Sequence, residues 1–156
     1  MFERTLQQLE KRGDMLFEPG AAAPFRGLLI DSYPGGLRKI RIEIAGGKPN
    51  GLSRGWYANG QLEVEEHFVA GVASGKRVRW YENGQKRSEA QIENGEITGT
   101  FIQWHDNGQK AAEAALVSGE PEGLSRGWYP SGARKSLVEI RGGEVVSREY
   151  WEDTVP

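Results

Sequence analysis

The amino-acid sequence predicts an all-β protein, an antiparallel β-meander of about five 24-residue hairpin repeats preceded by a short helix. Three observations carry that prediction. First, an aromatic pair, one or two turn-forming residues and a glycine recur as Trp56-Tyr57-Ala58-Asn59-Gly60, Trp80-Tyr81-Glu82-Asn83-Gly84, Trp104-His105-Asp106-Asn107-Gly108 and Trp128-Tyr129-Pro130-Ser131-Gly132, with a weaker copy at Ser32-Tyr33-Pro34-Gly35-Gly36. Second, the closing glycines Gly36, Gly60, Gly84, Gly108 and Gly132 keep a constant 24-residue step, and a fixed short period marks a repeat architecture. Third, Gly51-Leu52-Ser53-Arg54-Gly55-Trp56-Tyr57 recurs letter for letter at 123–129, 72 residues or three periods later.

The elements follow in chain order. Phe2, Leu6 and Leu9 have helical spacing among charged residues and Gly13 supplies a stop, so residues 2–12 are expected to form an amphipathic helix. Glu18 to Pro24 has the composition of a turn-rich linker. The chain thus divides into a helix and linker at 1–26 and a repeat domain at 27–156. Each repeat is expected to supply one strand ending in the aromatic pair, such as 52–57, and one following the turn, such as 61–68. Asn59-Gly60, Asn83-Gly84 and Asn107-Gly108 are the preferred central pair of a two-residue type I′ hairpin. The pairs Gly47/Gly51, Gly71/Gly75, Gly95/Gly99 and Gly119/Gly123 mark the return loops between hairpins. Tyr150-Trp151 reverses the aromatic order and arrives early, which argues against a sixth hairpin.

With two-residue turns, Tyr57 lies opposite Leu62 and Trp56 opposite Glu63, and alternation sorts the side chains onto two faces. One face gathers the Tyr57, Tyr81, His105 and Tyr129 row with Ile40, Ile42, Ile44, Val64, Phe68, Ala90 and Ile92. The other gathers Trp56, Trp80, Trp104 and Trp128 with Arg54, Glu65, Glu89 and Glu113. Any even-length turn keeps this division, and a three-residue turn with a bulge would scramble it. Equivalent residues in successive repeats stand two strands apart, roughly 9–10 Å, so other side chains must fill the space between rings.

Composition narrows the function. A net charge of −2 lacks the basic excess that nucleic acid or an anionic membrane selects. Hydrophobic residues at 37% and 22 glycines suit a thin, turn-rich β protein better than a thick core. Without cysteine there is no disulfide framework. The polar N-terminus does not resemble a signal peptide, and cytoplasmic localisation is expected. His67 and His105 are assigned to opposite faces and cannot form a relay. The equally spaced Glu65, Glu89 and Glu113 look structural, since their ~9–10 Å spacing exceeds the ~5–5.5 Å of a retaining glycosidase pair. No nucleophile, base and orienting group converge. The chain is therefore expected to be a non-enzymatic binder without a cofactor or a metal. A surface tiled by one repeated patch suits a long or flat partner. The expected protein-contact residues are Trp56, Trp80, Trp104 and Trp128 with Arg54, Glu65, Glu89 and Glu113, because Trp and Arg dominate protein-binding hot spots.

The spacing Gly-x-x-x-Gly followed by Trp-Tyr-x-Asn-Gly and a downstream Glu resembles the MORN repeat in its bacterial variant form, over about residues 27–151. Ser32 in the first unit, His105 in the fourth and Leu137, where the Glu65-type residue is due, depart from the pattern. The resemblance implies an elongated, single-layer antiparallel meander. Chains of this variant resemble the YwqK-type antitoxin or immunity proteins, which implies a toxin as partner. Scaffold and phospholipid-binding roles, also associated with MORN proteins, are the alternatives. Net charge disfavours the membrane, and open sheet edges leave a monomer or an edge-paired homodimer.

Overall fold

The computed structural model describes residues 1–154. Its strands are β1 (Glu3–Arg4), β2 (Glu10–Arg12), β3 (Met15–Phe17), β4 (Gly27–Ser32), β5 (Arg38–Ala45), β6 (Lys48–Trp56), β7 (Leu62–Val69), β8 (Val72–Ala73), β9 (Gly75–Trp80), β10 (Lys86–Glu93), β11 (Glu96–Trp104), β12 (Lys110–Val117), β13 (Glu120–Trp128), β14 (Arg134–Arg141) and β15 (Glu144–Tyr150). All but β2 and β3 join one open 13-stranded sheet, and from β4 onward each strand pairs with its sequence neighbours, apart from the short β8, which pairs with β7 beside β9. Twelve strands abreast at ~4.8 Å span roughly 50 Å. The predicted meander of hairpins is the observed fold.

The turns are assigned differently from the expectation. At the aromatic end the loop holds three residues. Tyr57 N donates to Gln61 O while Gly60 N donates to Tyr57 O, and only Gly60 of the loop has positive φ, +85°. This is a type I turn closed by a left-handed glycine. The type I′ turns lie at the opposite end of the strands, at Gly46-Gly47, Ala70-Gly71, Asn94-Gly95, Ser118-Gly119 and Gly142-Gly143, where both residues have positive φ. The asparagine of Asn-Gly is instead engaged through its side chain.

The three-residue loop does not scramble the faces. Trp56 pairs with Leu62, then one extra residue, Glu63, bulges out, and Gly55 pairs with Val64 and Arg54 with Glu65. The bulge adds back the residue that the odd loop removes, so the strand bodies keep the register of a two-residue turn. The same correction follows every aromatic turn, at Lys39, Arg87, Ala111 and Lys135.

Residues 2–12 do not form the expected α-helix. They give β1, a 3-10 turn at Leu6–Gln8 and β2. A helix of about eleven residues is marginal by itself, whereas the sheet edge offers ready partners. β1 pairs in parallel with β4, and β2 and β3 form a hairpin. Leu16 N donates to Gly47 O, Phe25 N to Leu16 O and Gly47 N to Phe25 O. This N-terminal layer covers the first strands on their Tyr side. There it builds a cluster of buried side chains, Phe25, Leu29 and Ile44, with Leu9, Leu16 and Ile42 packed against it.

Candidate interaction surface

The repeated signature is a ladder between hairpins. Tyr33 Oη donates to Trp56 O at 2.9 Å, Tyr57 Oη to Trp80 O at 2.8 Å, Tyr81 Oη to Trp104 O at 2.8 Å and Tyr129 Oη to Trp151 O at 2.9 Å. His105 Nε2 lies 2.9 Å from Trp128 O, so the histidine fills the tyrosine's place as a donor. Beside this ladder runs a second one. Asn59 Nδ2 donates to Glu82 O, Asn83 Nδ2 to Asp106 O and Asn107 Nδ2 to Pro130 O, while each Asn Oδ1 accepts from the backbone N–H two residues on. Sequence reasoning placed these asparagines for their backbone and missed their side chains. The signal was their invariant 24-residue step, since a turn alone needs no fixed distance to the next turn. Trp151 accepts from Tyr129 although no second strand of a sixth hairpin follows among the described residues.

One lane of directly opposed residues crosses the Trp face: Arg41, Arg54, Glu65, Val78, Glu89, Ile102, Glu113, Arg126 and Leu137. Its acids are matched within the sheet. Arg54 Nε lies 2.7 Å from Glu65, Lys76 and Lys86 lie 2.7 and 2.9 Å from Glu89, and Lys110 and Arg126 lie 2.7 and 3.4 Å from Glu113. The lysines hold Glu89 (Lys76 first, then Lys86) and Glu113 (Lys110 first) below the ordinary carboxylate value. Trp56, Trp80, Trp104 and Trp128 are half-buried. Lys86 lies 5.2 Å from the Trp104 ring centre and Lys110 5.5 Å from that of Trp128, so lysine stems occupy the spaces between rings. The structure thus brings all eight expected contact residues onto one face, and ties the charged ones to neighbours there.

The Tyr face is built differently. Arg77 pairs with Glu66 at 2.7 Å. Arg79 and Arg87 have no acidic partner among the described residues, and Arg87 lies 5.6 Å from the Tyr81 ring centre. The bulges place cations on the tyrosines of their own hairpins, with Lys39 on Tyr33 and Lys135 on Tyr129.

A hollow of about 400 Å³ lies on the Trp face at the C-terminal end, where Leu124, Trp128, Leu137 and Trp151 meet Arg126 and Arg134. It is a cup in the sheet surface rather than a cleft that gathers several titratable groups.

No curated protein matches the chain. The family model described as MORN repeat variant matches residues 49–70 and 74–94, which are the hairpins β6–β7 and β9–β10. Across these two hairpins the chain is therefore similar to MORN repeats of the variant type, which are generally protein- or lipid-binding modules.

Proposed function

We propose that this chain is a non-catalytic protein-binding module that acts in the bacterial cytoplasm as an antitoxin or immunity protein, neutralising a toxin by direct binding. One observation favours a protein over a bilayer. Five cations of the hairpin β9–β10, Lys76, Arg77, Arg79, Lys86 and Arg87, are divided between the two faces of the sheet. Lys76 and Lys86 are held by Glu89 on the Trp face, Arg77 is held by Glu66, and Arg79 and Arg87 lie on the Tyr face. A flat anionic membrane meets one face at a time and gains little from cations on the other. A folded protein can follow a sheet around its edge. The assignment of the partner as a toxin rests on the resemblance to YwqK-type proteins.

The test is recovery of a partner from the native host with the tagged full-length chain, followed by co-expression. The expected result is one dominant toxin whose growth arrest the chain relieves. Sedimentation with anionic vesicles at low salt, with no protein captured, would replace this reading by the lipid-binding one.

A further inference from the structure

On the Trp face the repeated glutamate is replaced twice, by Arg41 in the first hairpin and by Leu137 in the last, and the second replacement creates the cup. Positions 41, 65, 89, 113 and 137 are equivalent; the middle three carry glutamates, each ion-paired, and Arg41 is paired with Glu43. The last is Leu137, the one apolar residue of the five. Lys86 and Lys110 bind those glutamates from three residues upstream, and the equivalent residue in the last hairpin is Arg134. With leucine in place of the acid, Arg134 has neither an acidic nor a ring partner among the described residues. Arg134 lines a hollow whose apolar walls are Leu124, Trp128, Leu137 and Trp151. Arg126, the other cation there, is already paired with Glu113. Leu124 is 39% exposed. The adjoining edge strand β15 is exposed at every residue, so an extended chain can approach from that side. Glu149, opposite Leu137 on β15, adds a negative charge to the rim.

We propose that this cup is an anchor site for a partner protein, which inserts one apolar or aromatic side chain and presents a carboxylate from an adjacent residue to Arg134. An apolar wall alone would accept many occupants. The unpaired guanidinium selects an acid, because an arginine–carboxylate pair is directional and charge-assisted, and an anchor side chain in a desolvated pocket supplies most of an interface's energy. The site deepens the protein-binding reading and rests on it.

The repeat itself supplies the decisive variant. Leu137→Glu restores the residue found at three of the four equivalent positions, fills the cup and gives Arg134 its missing acid, so the fold should be kept. The probe is a fluorescein-labelled Gly/Ser peptide with a central Phe-Asp pair, compared by anisotropy with Phe-Asn and Ala-Asp versions. The Phe-Asp peptide should bind at least tenfold more tightly than either. Leu137→Glu should abolish that binding with an unchanged or higher Tm. Arg134→Gln should erase the preference for Asp over Asn while leaving preference for Phe over Ala.

Equal binding of the three peptides, no binding of Phe-Asp at millimolar concentration, or binding unaltered by Leu137→Glu would overturn the proposal. So would vesicle capture or self-association that Leu137→Glu removes while the peptide fails to bind. A host partner captured equally by wild type and Leu137→Glu overturns the site and leaves the binder reading standing. Peptide binding as expected, with no toxin neutralised, overturns the antitoxin reading and leaves the site.

Discussion

The hydroxyl of Tyr81 shows how one atom sets the spacing of the repeat. It reaches past its own hairpin to Trp104 O at 2.8 Å in a half-buried position, so each turn is tied to the next. Tyr81→Phe keeps the ring and leaves the carbonyl without its donor. The expected cost is about 1 kcal/mol, seen as a fall of roughly 2–4 °C in Tm for a chain of this size. An unchanged melting curve would remove the ladder from the account of stability. Ala70 presents the opposite case. It sits at φ +49° in a type I′ turn, where glycine occupies the corresponding position in the first and last return turns. A left-handed alanine costs ~1–2 kcal/mol and glycine's extra unfolded-state freedom costs ~0.4–1 kcal/mol. Ala70→Gly should therefore stabilise slightly, by about 0.5 kcal/mol in urea unfolding.

Within the hairpins, the ion pairs of the Trp face give stability a defined pH dependence. Glu89, held by Lys76 and Lys86, and Glu113, held chiefly by Lys110, have carboxyls shifted below their ordinary value in the folded chain. A depressed folded value means that the unfolded chain takes up protons first as pH falls. Their contribution is complete above the ordinary carboxylate range and disappears as pH drops through the folded value. Denaturant midpoints should be level near neutrality and fall with acid, and Glu89→Gln should shallow the acid limb while lowering the neutral plateau. An acid limb unchanged by Glu89→Gln and Glu113→Gln would assign acid sensitivity to other carboxylates. The aromatic-end turns, with three-residue loops and a compensating bulge, explain why this face survives at all. Had the bulge been absent, Arg54 and Glu65 would not oppose one another.

For the whole molecule, contacts beyond the N-terminal layer run between neighbouring hairpins, which makes the sheet close to one-dimensional. Excising residues 75–98, one full period, joins Ser74 to Gly99 and should restore both ladders, with Tyr57 meeting Trp104 O. The shortened chain should still unfold in one cooperative step, with an m-value lower by roughly a sixth in proportion to the surface lost. Excising 75–97 instead shifts the register by one residue, which exchanges the faces of all later strands, and should yield an unfolded or aggregated product. Equal behaviour of the two would contradict a phase-locked sheet.

The sequence by itself determined the period, the hairpin meander and the partition of side chains into a Trp face and a Tyr face, because alternation along a strand and a fixed repeat are local properties. It also exposed the substitution, Leu137, on which the C-terminal cup depends. Only the tertiary structure decided which turns are type I′, since backbone sign at Asn59 and Ala70 follows from the twist and register of paired strands. The fate of residues 2–12 was likewise tertiary. Their apolar spacing fits a helix, and the choice of strand and 3-10 turn came from an unpaired sheet edge and from Leu29, Ile42 and Ile44 awaiting cover. The pairing of Glu65, Glu89 and Glu113, and the freedom of Arg134, were decided there too, because a charge's partner is set by which strands lie side by side.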